Sequence, residues 1–339
     1  YLYHGSNLTT LTFKNCLIKT LVRLFLSLSD LIIKEKYCVL TESRHMNNFN
    51  TNTRRKTSLG STDIEVSRIG TGTNRWAFGE NDREVFQVYE ALMDKDVNFF
   101  DTAEVYTGGK SERLLGACYR KDGRPAVLAS KYRPQASRRT ERDFTEALDG
   151  SLKRLGVEII DLYYVHNPPS AQSIEDLMDY MAEALDEEKI RSVGVSNFDA
   201  EQMTRAATRL EEHGVKLAAN QVEYSLQHRE PETNGVLETC INLDVSLVAY
   251  RPLVRGKLAS VKMKGESRNE STLEAIIQSI AKEHGGSASQ VALNWLLQKD
   301  ESVIPIPGTT NVDHAVDNAG ALNWVMSRAE FDELDEASA

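Results

Sequence analysis

Four side chains that could together move a proton follow apolar runs of the sequence. Asp101 ends the run VNFFDT and Tyr106 lies five residues later, while Lys131 follows AVLAS and His166 closes DLYYVH. A tyrosine hydroxyl has a pKa of about 10 and transfers protons poorly at pH 7, but a neighbouring ammonium group lowers that pKa. An aspartate behind the lysine would keep it charged and oriented, and the histidine could direct a substrate oxygen toward the hydroxyl. The set suits proton transfer at a substrate oxygen.

Each of these four residues also has a structural interpretation. Asp101 could cap the next helix, and Tyr106 could simply pack in its loop. Lys131 could be a solvated residue before a turn, and His166 could be hydrogen-bonded in the turn NPP. The occurrence of all four, in order, at successive strand ends favours the chemical interpretation.

Eight short apolar runs predict the strands of one parallel sheet. They lie at 67–72, 97–102, 126–130, 161–166, 190–196, 217–222, 245–250 and 302–307. Between them, apolar residues at helical spacing predict helices, for example at 82–95, 139–155, 173–187 and 199–211. Strands that are apolar on both faces and recur about every 30 residues predict an α/β fold, a (β/α)8 TIM barrel. A doubly wound sheet is disfavoured because no GxGxxG follows a strand.

Further segments complete the predicted barrel. SLGSTDIEVSRIG, beginning at Ser58, predicts a short N-terminal β-hairpin around a Ser-Thr-Asp turn. Residues 251–270 form a basic, glycine-containing loop, followed by helical segments at 271–284 and 287–298. Because active sites of such barrels lie at the carboxyl ends of the strands, we expect the four side chains to meet at one mouth.

Residues 1–57 are predicted to be an N-terminal extension, and residues 58–339 to form the barrel. The first methionine is Met46. The apolar run 17–33 contains three charged residues, so it cannot span a bilayer, which needs about 20 apolar residues. No small-residue cleavage site follows it. We favour upstream sequence translated in error over a transit-like or amphipathic extension, and expect residues 47–57 to be disordered.

The composition limits the classes of partner. A net charge of -10 argues against nucleic-acid and anionic-membrane partners, which require clustered basic residues. The four cysteines show neither CxxC spacing nor a dense framework, which favours a reducing compartment and a cytoplasmic location. We expect no metal ion and a small-molecule substrate; no motif predicts an oligomeric state.

Several motifs from Ser58 onward together resemble the aldo-keto reductase family. They are FDTAEVYTGGKSERLLG, LASK, SLKRLGVEIIDLYYVHNP, IRSVGVSNF, NQVEYSL, LVAYRPL and VIPIPGTTNVDHAVDN. The resemblance implies a barrel that binds NADPH across its C-terminal mouth and reduces aldehydes and ketones to alcohols. It also implies that Asp101, Tyr106, Lys131 and His166 are the catalytic tetrad, with Tyr106 as general acid.

The resemblance extends to residues that would bind the nicotinamide. Ser196, Asn197 and Gln221 are similar to the family's hydrogen-bonding partners of the carboxamide, and Tyr250 to the aromatic residue that stacks on the ring. Fixing the carboxamide would decide which face of the nicotinamide ring presents its hydride to the substrate. The structural alternatives are helix capping for Ser196 and Asn197, and core packing for Tyr250.

The loop RPLVRGKL resembles the family's pyrophosphate loop, best at Leu253, Gly256 and Leu258. Arg251 departs from the serine expected there. Its guanidinium could pair with phosphate or face solvent. The same alternatives apply to the two other basic residues of the loop.

The residues after the predicted eighth strand resemble the family's adenosine-binding region: Gly308, Thr309, Thr310, His314, Asp317 and Asn318. Backbone N–H groups at a helix start bind phosphate. The family often has Lys or Arg at the positions of Gly308 and His314 to hold the 2′-phosphate, but this histidine is mostly neutral at pH 7. Asp317 and Asn318 match the pair that reads adenine. NADPH is favoured over NADH.

Trp76 and Asn167 are predicted to line the substrate pocket, which would suit aldehydes, quinones, sugars or pyridoxal alike. NQVEYSL and VALNWLLQKDESVIPIPG resemble the subgroup that includes pyridoxal reductases. Two other functions are alternatives for this sequence. One is a nicotinamide-binding regulatory or redox-sensing barrel with little turnover. The other is a Schiff-base lyase using Lys131, which would leave the nicotinamide motifs unexplained.

Overall fold

The structure is a computed structural model that describes residues 55–77, 82–260 and 272–339. In this part of the chain, β1 (Lys56–Ser58) pairs antiparallel with β2 (Glu65–Ser67). Eight further strands form one parallel sheet in chain order: β3 (Thr71–Gly72), β4 (Phe99–Asp101), β5 (Val127–Tyr132), β6 (Leu162–Val165), β7 (Val193–Ser196), β8 (Leu217–Glu223), β9 (Ser246–Tyr250) and β10 (Val303–Pro305). Gly70 N donates to Pro305 O (3.0 Å), which brings the last strand beside the first. The predicted (β/α)8 barrel with an N-terminal hairpin is confirmed.

Helices follow the strands on the outside of the sheet: α1 (Asp82–Met93), α2 (Lys110–Asp122), α3 (Glu141–Leu155), α4 (Ile174–Asp186), α5 (Ala200–Glu212), α6 (Glu230–Thr233), α7 (Val236–Asn242), α8 (Thr272–Glu283), α9 (Ala288–Lys299), α10 (Val312–Gly320) and α11 (Arg328–Ala337). Helices α3, α4, α5 and α11 each begin with a capping box, in which the N-cap and third residues bond reciprocally. None of the described helices is long and apolar enough to cross a membrane.

The strands are apolar on both faces because each face meets a different core. In β4, Phe99 packs inside the barrel with Leu162 and Ile304. The next residue, Phe100, points to the other side of the sheet and stacks on Tyr89 of α1, with ring centroids 4.5 Å apart. Alternation along a strand therefore fills the barrel interior and the layer beneath the helices at once.

The hairpin closes the amino end of the barrel. Leu59, Ile64 and Val66 are buried in the cluster that fills the barrel interior. Gly60 N donates to Ser246 Oγ (2.8 Å). Gly60 has φ +54, and a Cβ on it would lie 2.5 Å from Ala218 O, so this contact requires glycine.

The last residues of the predicted extension belong to the hairpin. Lys56 and Thr57 belong to β1, where Lys56 Nζ also contacts Glu65 Oε1 at 2.6 Å. The polar sequence conceals this strand because backbone pairing with β2 holds it rather than apolar side chains. Residues 1–54 of the predicted extension lie outside the described residues, as does the second half of the basic loop 251–270.

Candidate active site

An ion pair lies inside the barrel, at the carboxyl ends of β4 and β5. Lys131 Nζ is 2.5 Å from Asp101 Oδ1 and donates to Thr102 O at 2.7 Å. Gln221 Nε2 donates to the other carboxylate oxygen, Oδ2, at 2.8 Å. The two charged side chains are 0% and 2% exposed. Burial raises the pKa of Asp101, and Lys131 and Gln221 oppose that rise. Such charges are tolerated in a core only when they are paired, so each residue fixes the other.

Tyr106 lies beside this pair, at the start of a tight turn after β4. Lys131 Nζ is 5.1 Å from the centroid of the Tyr106 ring. Thr107 and the glycines at 108 and 109 all have positive φ, so the chain reverses sharply into α2. Burial raises the pKa of Tyr106; the charge of Lys131 lowers it, but by less. The hydroxyl is therefore protonated at neutral pH, which is the state a proton donor requires.

His166 faces Tyr106 from the end of β6. The two rings meet edge to face with centroids 5.8 Å apart. His166 N donates to Tyr132 O (2.8 Å), which anchors the residue to β5. Burial, with the charges of Lys131 and Arg133, lowers the pKa of His166 to about 3. The imidazole is thus neutral, and its Nδ1 is buried without a hydrogen-bond partner among the described residues.

A neutral His166 should make stability depend on pH. Its pKa is about 3 when folded and 6.5 for the free side chain. Below pH 6.5 the unfolded chain therefore takes up a proton that the folded chain does not, and the free energy of unfolding falls with pH. His166→Gln should remove about 2 kcal/mol of the loss between pH 6.5 and 5 in urea titrations.

Wild-type protein, titrated in parallel over the same pH range, provides the reference for this effect. If the unfolding free energy fell equally steeply with pH in the wild type and in His166→Gln, the proposed depression of the His166 pKa would be wrong.

A polar cluster at the mouth is centred on Asn197. Its Nδ2 lies 3.1 Å from each of His166 O, Asn167 Oδ1 and Ser196 Oγ. The Tyr250 hydroxyl donates to Asn197 Oδ1 at 3.0 Å. Asn197 has φ +61, a left-handed conformation that asparagine tolerates better than most residues. The structure thus brings four of the predicted nicotinamide and substrate residues together beside His166.

Ser196 and Gln221 lie deeper than their predicted roles suggest. Ser196 Oγ donates to Gln221 O at 2.9 Å. Gln221 is 2% exposed and its amide nitrogen is bonded to Asp101. In this arrangement the Gln221 amide supports the ion pair rather than facing the mouth.

The loop after β9 presents less free charge than its sequence suggests. Arg251 Nη1 donates to Glu223 Oε2 at 2.8 Å, and the guanidinium lies 5.6 Å from the centroid of the Tyr250 ring. Of the two alternatives for Arg251, phosphate pairing thus competes with an existing carboxylate. Leu253 is half-buried against the core, whereas Gly256 is exposed with φ +90.

The start of α10 explains one departure from the family pattern. A Cβ on Gly308 would lie 2.7 Å from Gly72 O, so a lysine there would collide with the backbone of β3. Asn311 caps the helix by accepting from His314 N at 3.0 Å. Thr310 and His314 are exposed at this helix start.

Trp76, which was predicted to line the substrate pocket, lies in the core. It is fully buried, packs 6.4 Å from Phe100 between ring centroids, and donates from Nε1 to Thr309 O at 2.9 Å. Trp76 therefore ties the loop after β3 to the loop after β10. Asn167, by contrast, lies in the cluster around Asn197.

The predicted adenine pair faces α9. Asp317 Oδ2 accepts from Ser287 Oγ at 2.6 Å, and Oδ1 accepts from Gln290 Nε2 at 2.9 Å. Asn318 is 5% exposed. Both oxygens of Asp317 thus join α10 to α9, and an adenine contact would have to compete with these bonds.

Sequence reasoning missed a buried polar cluster at the start of α2, the helix that follows Tyr106. Glu112 of α2 is fully buried and accepts from Ser130 Oγ (2.6 Å) and from Arg154 Nε (2.5 Å). Ser111 lies 2.8 Å from Thr73 Oγ1 through its hydroxyl, which joins α2 to the loop after β3. The sequence signal that could have indicated this cluster is the polar segment Ser-Glu-Arg at 111–113. It lies in the first turn of an otherwise amphipathic helix, just after the glycine pair.

A buried cation beside a protonated phenol and a neutral imidazole is equipped to protonate a substrate oxygen. The Aldo/keto reductase family profile matches residues 68–339, and the chain belongs to that family. It is an oxidoreductase of the class that reduces carbonyl compounds.

Curated and solved relatives agree with this assignment. The chain is 31% identical to a chloroplastic pyridoxal reductase of Arabidopsis thaliana, over 81% of this chain and 84% of that protein. A thermostable aldo-keto reductase solved with the inhibitor epalrestat aligns with TM-score 0.73 and 32% identity, over 83% of this chain and 99% of that one. An aldo/keto reductase from Klebsiella pneumoniae, solved with NADP and acetate, aligns with TM-score 0.71 and 30% identity, over 83% and 95%.

Proposed function

We propose that this protein reduces an aldehyde or ketone to an alcohol with NADPH as cofactor and Tyr106 as general acid. The supporting observation is the buried Lys131–Asp101 pair next to the Tyr106 ring. NADH is the alternative cofactor.

Each of the four residues then has a role that follows from its surroundings. Tyr106 is protonated and donates its hydroxyl proton to the substrate oxygen. Lys131 stabilises the phenolate that remains, and Asp101 keeps Lys131 charged and in place. His166, being neutral, directs the substrate oxygen with a ring N–H without competing as an acid. When bound, NADPH supplies the hydride.

The residues around the mouth fit a nicotinamide cofactor. The Asn197 amide and the Ser196 hydroxyl lie beside the partly exposed ring of Tyr250. Such neutral donors and acceptors next to an aromatic face suit a flat ring that carries a carboxamide. The start of α10, with Thr310 and His314 exposed, suits a phosphate. The Klebsiella pneumoniae relative was solved with NADP.

His314→Arg tests the cofactor orientation. A guanidinium at this exposed position would pair with the 2′-phosphate that only NADPH carries. The Kd for NADPH, measured by fluorescence titration, should fall about tenfold, because a hydrogen bond to a charged group contributes roughly 1.5–3 kcal/mol. The Kd for NADH should not change, which makes NADH the control. An unchanged Kd for NADPH would remove His314 from the cofactor site.

Two rival functions predict different results. A regulatory barrel would bind NADPH tightly and oxidise it negligibly with every carbonyl compound offered. A Schiff-base lyase would be trapped on Lys131 by borohydride. The Lys131 amine is fully buried and donates to Asp101 and Thr102 O, whereas Schiff-base formation requires an amine that is free to attack a carbonyl. NADPH oxidation over a panel of aldehydes and ketones distinguishes all three.

The panel should include pyridoxal, because one relative is named a pyridoxal reductase.

We also propose a cytoplasmic location. Cys118 and Cys240 are free and buried, and burial raises the pKa of the Cys118 thiol to about 12. Such unreactive thiols suit a reducing compartment.

A further inference from the structure

The register of β5 on β6 directs one more cation toward the mouth. Lys131 pairs with Tyr164 in the parallel ladder, and both side chains point into the barrel, with Lys131 Nζ 5.5 Å from the centroid of the Tyr164 ring. Side chains alternate along strands. Arg133 and His166 lie one residue beyond the ends of β5 and β6, two residues after Lys131 and Tyr164, so continued alternation puts them on the same inner side. The charge of Arg133 contributes to the lowered pKa of His166, as this placement requires.

Arg133 is exposed, and its guanidinium forms no ion pair or hydrogen bond within the described ranges. The carboxylate that could neutralise it, Glu104, is already occupied. Glu104 Oε1 accepts from the backbone N of Arg133 (2.6 Å), and both its oxygens accept from Arg138, at 2.5 and 3.0 Å. The hydrogen bond from its backbone N to Glu104 holds Arg133 in position, while its guanidinium remains available to bind a ligand.

Three other cations near the mouth are each neutralised by a carboxylate. Lys131 pairs with Asp101, Arg138 with Glu104 and Arg251 with Glu223, and His166 is uncharged. Arg133, by contrast, places a positive charge near His166 that no carboxylate of the described residues pairs with. A guanidinium is suited to bind a carboxylate or a phosphate group through two parallel hydrogen bonds.

We infer that Arg133 binds an anionic group of the substrate, so that the enzyme prefers aldehydes or ketones that carry a carboxylate or a phosphate. This inference rests on the proposed function, since it assumes that the carbonyl oxygen is bound between His166 and Tyr106. Arg133 would act on substrate selection and not on the proton transfer itself.

The test compares substrates matched in shape and different in charge. For the carboxylate, the pair is 4-carboxybenzaldehyde and its methyl ester; for the phosphate, it is pyridoxal 5′-phosphate and pyridoxal. Arg133→Met should lower kcat/KM for the anionic member by about 10- to 100-fold, mainly through KM, because charged hydrogen bonds are lost. Arg133→Lys should retain part of the preference. The pair that loses its discrimination identifies the anion.

Arg139→Met is the matched control. Arg139 is an exposed arginine of the same loop whose Nε donates to Ala136 O at 2.9 Å, and its loss should leave the ratio of the two kcat/KM values as in the wild type. The inference is overturned if Arg133→Met lowers both members equally, or if Arg139→Met has the same effect. A weaker Kd for NADPH in Arg133→Met would place the residue on the cofactor and also overturn it. A wild type that oxidises no NADPH with any carbonyl compound would instead refute the proposed function.

Discussion

Tyr106→Phe is expected to lower kcat for NADPH-dependent carbonyl reduction by about 100- to 10,000-fold, the usual contribution of a positioned acid. Only the hydroxyl is removed. The ring can still pack 5.1 Å from Lys131 Nζ and 5.8 Å from the His166 ring, measured to the centroids. The Kd for NADPH should therefore remain that of the wild type in fluorescence titrations, while steady-state turnover collapses.

Tyr89→Phe is the control for losing a buried tyrosine hydroxyl. Tyr89 is 1% exposed, and its hydroxyl has no hydrogen-bond partner in the described part of the chain. It lies in the layer between sheet and helices, so kcat should be unaffected. If Tyr106→Phe retained more than about a tenth of wild-type kcat, well short of the loss expected for an acid, the proton would have to come from another group.

Lys131→Met should abolish activity and also destabilise the fold. It removes the charge that stabilises the phenolate, and it leaves Asp101 buried with only the Gln221 amide as a side-chain partner. Breaking one side of a buried pair costs about 3–5 kcal/mol. Burial already raises the folded-state pKa of Asp101, and without Lys131 only the Gln221 amide opposes that rise. The folded state then retains its proton longer, so the variant should lose stability as pH rises above about 4.

The double variant Lys131→Met/Asp101→Asn separates the two effects. An asparagine carries no charge, so the unfolding free energy in urea should recover by several kcal/mol relative to Lys131→Met alone. Activity should not recover, because the phenolate still lacks its cation. A double variant no more stable than the single one would show that the two charges are not coupled energetically.

The strand positions were predictable because their cause is local. Runs such as VNFFDT are apolar on both faces, and only a buried parallel strand needs that pattern. Their ends place Asp101, Lys131 and His166 without knowledge of the contacts. The start of the hairpin was not predictable from side chains, because Lys56 and Thr57 of β1 are held through backbone bonds to β2.

Several site contacts were not predictable because they join distant segments. Gln221 bonds to Asp101 across 120 residues of sequence. Arg251 donates a hydrogen bond to Glu223, and Asp317 accepts one from Ser287 at the start of α9. Trp76 follows a strand end, as a pocket residue would, yet tertiary packing places it in the core. Which way a side chain turns depends on neighbours that the local sequence does not specify.

The hairpin that closes the amino end of the barrel has a consequence for biosynthesis. Gly60 meets Ser246 across 186 residues. A ribosome adds about 5–20 residues per second, so roughly 10–40 s separate the emergence of the two partners. During that interval Leu59, Ile64 and Val66 have no completed interior to enter. The nascent chain therefore exposes these apolar side chains until β9 has been synthesised. We expect holdase chaperones to bind at the hairpin during this interval.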